Sequence, residues 1–186
     1  AGARAKGDGL TDSDSDGVPD IYDVAPQDPD YAFSYDVPSD GWLSIAFEDL
    51  FGHAQAGDAD YNDFIGRYKI EVYTDRSNDI TGYQVEAWAD AKIAGYNHLF
   101  GIFFDYFQGA GSLTVDYYDK NGKRLSGIPD LPVCGQANVV LFPSTKDNVG
   151  WKTAFTLSFE EPQKPDQVVQ PPFNPCLLYT SDAADE

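Results

Sequence analysis

The chain has 186 residues with 12 basic and 31 acidic side chains, a formal net charge of −19, and this length is enough for one domain with a buried core. So acidic a protein is not expected to bind nucleic acid, and no run of about 18 apolar residues occurs that would insert into a membrane. A hydrophobic content of 42%, with 15% aromatic residues, argues against general disorder. The sequence contains no methionine, so we expect a processed chain or a fragment.

Two regions of different composition follow one another along the chain. Residues 1–30 are rich in Asp, Gly, Ser and Pro and predict an irregular segment that needs something other than a core to order it. From residue 31 onward, short apolar and aromatic runs separated by turn residues predict an all-β domain over 31–175, an antiparallel β-sandwich or jelly roll. The predicted strands are Tyr31–Val37, Trp42–Glu48, Phe64–Tyr73, Gly82–Ala91, His98–Phe107, Ser112–Tyr118, Asn138–Phe142 and Thr153–Glu160.

The alternation of apolar and polar residues is clearest in two of these strands. Tyr68, Ile70 and Val72 share one face of the first, and Tyr83 begins a similar stripe in the second. The sequence Asp119–Lys123, with Asn-Gly at its centre, predicts a hairpin turn. The stretch 162–175 is rich in Pro and Gln and predicts a long loop or an extended crossing.

The N-terminal segment contains a pattern typical of a calcium-binding loop. Residues 12–23 read D-S-D-S-D-G-V-P-D-I-Y-D, with glycine at the sixth position, where such a loop turns sharply. The predicted ligands are the carboxylates of Asp12, Asp14, Asp16, Asp20 and Asp23 and the backbone carbonyl of Val18. A solvated acidic linker is the alternative, but it gives no reason for Gly17.

Pro19 and the residues after it do not favour the flanking helix of an EF-hand. The segment instead resembles a thrombospondin type 3 repeat, a calcium-binding stalk unit of surface and secreted proteins. The resemblance implies that residues 1–30 are a calcium-ordered segment.

A second group of oxygen ligands is predicted inside the β domain. Glu48 and Asp49 end one strand, and the sequence GDADYND opens the next. The predicted ligands of this cluster are Glu48, Asp49, Asp58, Asp60, Asn62 and Asp63. Carboxylate and amide oxygens suit Ca²⁺ better than zinc or copper. Strand-end caps and turn hydrogen bonds are the alternative explanation.

The pattern FED followed by GDADYND resembles the LruC-domain family of bacterial surface and secreted proteins. The segments 94–102, 141–145 and 173–175 are similar to later motifs of that family, so the resemblance covers roughly residues 38–175. It implies a calcium-dependent surface β-module with no known reaction, whose domain continues beyond Pro175.

The last eleven residues, 176–186, resemble one reading frame of a transposon-type sequencing adapter. We therefore expect them to be non-native. Without them Cys134 has no partner, so no disulfide with Cys176 is predicted.

The sequence thus predicts a Ca²⁺-binding module of the bacterial surface or extracellular space, with adhesion, display or ligand recognition as its task and a surface glycan or a protein as its partner. A carbohydrate-binding module is the first alternative, and exposed aromatic side chains such as Trp88 would favour it. A glycoside hydrolase using Glu48 with Asp63, or Glu160 with Glu161, is the second, and a structural spacer is the third. We do not expect an enzyme.

Overall fold

The computed structural model describes residues 10–48, 61, 63–93 and 95–179, and these contain strands but no helix. Residues 10–30 are irregular, as predicted, and the first strand begins at Phe33 rather than at Tyr31. The strands are β1 (Phe33–Val37), β2 (Leu43–Phe47), β3 (Phe64–Thr74), β4 (Ile80–Lys92), β5 (His98–Phe104), β6 (Ala110–Tyr118), β7 (Arg124–Cys134), β8 (Ala137–Phe142), β9 (Lys152–Gln163) and β10 (Asn174–Tyr179).

The strands form two antiparallel sheets. The larger has the order β1-β3-β4-β9-β6-β7, and β2 also pairs with β3. β1 and β2 share one edge of β3, because β1 pairs with Ile70–Thr74 and β2 with Phe64–Tyr68. The smaller sheet has the order β10-β5-β8. The prediction of an all-β antiparallel sandwich is therefore confirmed.

The core lies between the sheets and combines aromatic rings with aliphatic side chains. Phe64 of the larger sheet contacts Phe100 of the smaller sheet with ring centroids 5.0 Å apart. Phe104 of β5 lies against Tyr83 and Phe155 at 5.9 and 5.8 Å. All five rings are buried. The alternation predicted for β3 and β4 is confirmed, since their apolar stripes face this core.

The predicted hairpin turn joins β6 to β7. One carboxylate oxygen of Asp119 accepts the backbone N–H groups of Asn121 and Lys123, at 2.8 and 3.0 Å. Gly122 has a φ of +78°, a conformation that glycine adopts without strain. The side chain of Asp119 therefore holds the turn, and the bonds lower its pKa.

Two strands were not predicted. β7 lies at the edge of the larger sheet and has no buried residue, so it lacks an apolar stripe. Its Pro129 and Pro132 read as breaks in a strand, but an edge strand tolerates proline because one side of it needs no partner. β10 crosses the predicted boundary between residues 175 and 176 and pairs with β5. The non-native origin of 176–186 stays a prediction, and residues 180–186 lie outside the described residues.

Between β9 and β10, the Pro/Gln-rich residues 164–173 form a loop that we call the strap. Val168 is fully buried, and the hydroxyls of Tyr83 and Tyr68 donate to the carbonyls of Val169 and Pro172, at 3.0 and 2.9 Å. The strap is thereby fixed to the larger sheet. Cys134 and Cys176 are both free thiols in the described structure.

Candidate metal centre

The N-terminal loop is folded by its own aspartates. The carboxylate of Asp12 accepts the backbone N–H groups of Ser15 and Gly17, at 2.8 and 3.1 Å. Both donors have positive φ angles, 69° and 98°, so the chain curls tightly around this side chain. Gly17 is the sixth residue of the loop, where the pattern has glycine, and few other residues adopt a φ of this size.

Three predicted ligands lie together. Asp12, Asp14 and Asp16 each offer a carboxylate oxygen, and these oxygens lie within 4.8 Å of one another. One oxygen of Asp14 accepts the Asp16 N–H at 3.1 Å, and one oxygen of Asp16 accepts the Val18 N–H at 2.6 Å. Backbone bonds thus hold the carboxylates side by side despite their like charge.

Three carboxylate oxygens of this loop could approach a cation. The Oδ1 atom of Asp23 accepts the Ala25 N–H at 2.7 Å. The Oδ2 atoms of Asp14, Asp16 and Asp23 are shielded from solvent and have no hydrogen-bond partner among the described residues. A buried carboxylate oxygen without a donor is costly unless a cation approaches it. Hard oxygen donors of this kind fit Ca²⁺.

Electrostatics also indicate that Asp23 lies near the cluster of Asp12, Asp14 and Asp16. The pKa of Asp14 is raised, first by desolvation of its carboxylate and then by the negative charges of Asp16, Asp23 and Asp12. A hydrogen bond from the Asp16 N–H opposes the rise. A divalent cation would remove this repulsion.

Asp20 and Val18 have further structural contacts. Both carboxylate oxygens of Asp20 accept hydrogen bonds from Ser13, one from its N–H at 2.7 Å and one from its hydroxyl at 2.8 Å. The Asp20 N–H donates to the Thr11 carbonyl at 2.9 Å, so the two ends of the loop are joined. The Val18 side chain is buried. Coordination by Asp20 and by the Val18 carbonyl stays a prediction.

The loop lies against the larger sheet through a few specific contacts. Nη1 of Arg76, in the turn between β3 and β4, donates to the Asp16 carbonyl at 3.0 Å. The ring of Tyr31 meets that of Tyr73 edge-on with centroids 5.4 Å apart, and its hydroxyl donates to Ser158 at 3.0 Å. Sequence reasoning missed Arg76, because no local pattern relates it to a loop 60 residues away.

The second predicted cluster is described only in part. Glu48 follows β2 and Asp63 precedes β3, and the adjacent Phe47 and Phe64 are paired in register. The two acids therefore stand at neighbouring strand ends, as predicted, and Glu48 accepts the Tyr61 N–H at 2.9 Å. The other predicted ligands, Asp49, Asp58, Asp60 and Asn62, lie outside the described residues, so this site stays a prediction.

His98 lies at the same end of the sandwich, and the sequence analysis did not place it near Asp63. Its side chain is fully buried, and its pKa is lowered to about 4, first by this burial and then by the positive charge of Lys92. The negative charge of Asp63 opposes the lowering. The histidine is accordingly neutral at physiological pH.

Trp88, the side chain named for the carbohydrate-binding alternative, is partly covered. Trp88 is only partly exposed, and the Arg67 guanidinium lies 5.5 Å from its centroid and 5.4 Å from that of Trp42. The guanidinium covers ring faces on which a sugar would stack. Glu160 and Glu161, named for the hydrolase alternative, are both exposed at the end of β9.

Comparison with family models, with curated proteins and with solved structures finds no match for the chain. No helix long and apolar enough to cross a membrane is present in the described ranges.

Proposed function

We propose that this protein is a calcium-binding β-sandwich module of the bacterial surface or extracellular space, with adhesion, surface display or ligand recognition as its task. The observation that supports calcium binding is the set of shielded carboxylate oxygens of Asp14, Asp16 and Asp23, which lack hydrogen-bond donors in the described part of the chain. The surface location rests on the resemblance to LruC domains and thrombospondin type 3 repeats.

In this proposal Ca²⁺ neutralises clustered acids and orders the loops that carry them. The first ion is held by Asp12, Asp14, Asp16 and Asp23 and by the carbonyl of Val18, with Asp20 at the edge of the site. The second is held by the cluster Glu48, Asp49, Asp58, Asp60, Asn62 and Asp63. The first ion also fixes the loop that Arg76 contacts, so calcium binding and docking of the loop on the sheet favour each other.

Isothermal titration calorimetry of the EDTA-treated chain with CaCl₂ tests the first site. We expect a dissociation constant of about 10⁻⁴–10⁻³ M, the range of extracellular modules. Asp14→Asn keeps the shape of the side chain but removes a charge, and should weaken binding about tenfold or more. Asp28→Asn is the matched control, because Asp28 lies in the same segment outside the predicted ligand set, and its carboxylate accepts the Asp30 N–H at 3.2 Å.

Absence of calcium binding in the unmodified protein would refute the proposal. Equal weakening by Asp14→Asn and Asp28→Asn would mean that calcium responds only to the overall charge of −19. Weakening of one binding event in Asp14→Asn, with no such change in Asp28→Asn, would support the first site as described. Asp60→Asn, compared in the same titration, separates the contribution of the second cluster.

A further inference from the structure

The exposed face of the larger sheet has a polar trough across three interior strands. β4, β9 and β6 are neighbours, and residues paired in register stand in rows on this face. The trough has a volume of ≈ 220 Å³. Two rows line most of it: Glu86, Ala154 and Asp116 in one, and Gln84, Thr156 and Thr114 in the next.

The small side chain of Ala154 opens the trough. Glu86 on β4 and Asp116 on β6 both pair in register with Ala154 on β9. Two strand spacings place their Cα atoms roughly 10 Å apart, with only a methyl group between the two acids. The next row supplies an amide and two hydroxyls, groups that both donate and accept hydrogen bonds.

One end of the trough is closed by Lys152 and Tyr118. Both residues line it, they pair in register, and the Lys152 ammonium lies 4.8 Å from the centroid of the Tyr118 ring. Lys152 also donates to Glu86 at 2.9 Å, which fixes its position. The Lys152 ammonium lies over this ring, so recognition of a sugar in the trough rests on its fixed hydroxyl, amide and carboxylate groups, which pair with O–H groups.

We propose that this trough binds a neutral oligosaccharide. Its charges are already paired, Glu86 with Lys152 and Asp116 with Arg124, so a charged ligand would have to displace a partner. Carboxylates in such pairs still accept bonds from hydroxyl groups. The net charge of −19 further disfavours an anionic ligand.

Two other kinds of ligand fit less well. A peptide that extends a sheet needs a free strand edge, but β4, β9 and β6 are paired on both sides. An apolar peptide would bury the acids and hydroxyls of the trough without partners. The volume is below the roughly 300–1,000 Å³ of drug-sized pockets, so one sugar unit of a longer chain fits it best.

This inference names a ligand class for the recognition role proposed above but rests on a different site. The test is titration calorimetry with cellohexaose, mannohexaose and chitohexaose, carried out in EDTA and again in CaCl₂. We expect saturable binding of at least one of these sugars. Binding in EDTA separates the trough from the calcium sites, because the trough is built from interior strands rather than from the acidic loops.

Ala154→Arg places a long side chain over the floor and should weaken binding about tenfold or more. Ala46→Arg is its matched control, since Ala46 is exposed on β2 and pairs with Ile65 away from the trough. Gln84→Ala removes one polar group and should weaken binding about fivefold. Circular dichroism shows whether each variant is folded. If Ala154→Arg does not fold, Gln84→Ala provides the test in its place.

Three results would overturn the proposal. The first is that none of the sugars binds up to millimolar concentration. The second is that a folded Ala154→Arg variant, or Gln84→Ala in its place, binds as well as the unmodified chain. The third is that hexagalacturonate, an anionic sugar, binds and the neutral sugars do not.

Discussion

Replacing Gly17 by alanine should loosen the N-terminal loop through two separate effects. Gly17 has a φ of +98°, and a Cβ atom there would lie 2.9 Å from Nη1 of Arg76. The same nitrogen donates to the Asp16 carbonyl at 3.0 Å. Alanine therefore introduces backbone strain and also displaces the guanidinium that joins the loop to the sheet.

The expected size of the effect follows from these two contributions. A positive φ costs a non-glycine residue about 1–2 kcal/mol, and loss of one exposed hydrogen bond costs about 1 kcal/mol. Their sum, about 2–3 kcal/mol, should accelerate amide hydrogen exchange in residues 10–30 by roughly 30- to 140-fold. Arg76→Ala removes only the hydrogen bond and should accelerate exchange about fivefold.

Hydrogen exchange followed by mass spectrometry compares the unmodified chain, the two single variants and the double variant. The double variant should exchange no faster than Gly17→Ala, because that substitution already breaks the bond to Arg76. Gly41→Ala is the control for strain alone. Gly41 has a φ of +74° with no atom within 4 Å of its Cβ position, so exchange in residues 10–30 should not change.

Two results would refute this reasoning. If the accelerations in the single variants multiply in the double variant, Gly17 and Arg76 act independently and the close approach has no energetic consequence. If Gly17→Ala leaves exchange in residues 10–30 unchanged, the loop does not adopt the described turn.

Three further predictions concern the core, its pH dependence and calcium. Tyr83→Phe removes the buried hydroxyl that donates to the strap, and should lower the free energy of unfolding in urea by about 1 kcal/mol and the Tm by roughly 2–4 °C. Tyr106→Phe is the control, because this side chain is 47% exposed, and it should change neither quantity. The pKa of His98 is about 4 in the folded chain and 6.5 when the side chain is exposed, so the stability that its neutral form contributes is complete above pH 6.5 and is lost as pH falls through 4. The difference in unfolding free energy between the unmodified chain and His98→Gln, measured in EDTA, should therefore change by up to about 3 kcal/mol over this range. A difference that stays constant with pH would contradict the prediction. Asp60→Asn should remove more of the calcium-induced rise in Tm than Asp14→Asn, because its predicted cluster joins strand ends of the sandwich and Asp14 lies in a peripheral loop; the reverse order in thermal melting would be evidence against this assignment.

Local patterns predicted the strands whose sequences carry runs of apolar and aromatic residues, and most clearly those with one buried face. The stripes of β3 and β4 are visible in the sequence because every second residue faces the core. β7 has no buried face, so no pattern marks it. The insertion of β9 between β4 and β6 depends on pairings between distant residues, which periodicity does not encode.

The same distinction applies to the sites. The spacing of the aspartates and Gly17 predicted that Asp12, Asp14 and Asp16 would lie together, because one short loop contains them all. The contact of Arg76 with this loop crosses 60 residues and has no local signature. The trough could not be predicted either, since its walls come from three strands that meet only in the folded sheet.

The carboxylates of the acidic loop are held in place by backbone hydrogen bonds. Each of Asp14, Asp16 and Asp23 gives one carboxylate oxygen to a backbone N–H group of the loop and leaves the other shielded. Because the backbone bonds fix the carboxylates, the positions of the second oxygens would be set before the proposed cation binds. A preorganised site loses less conformational entropy on binding than a flexible acidic linker does. Calcium affinity should therefore depend on the turn at Gly17 and its contact with Arg76 as well as on the number of carboxylates.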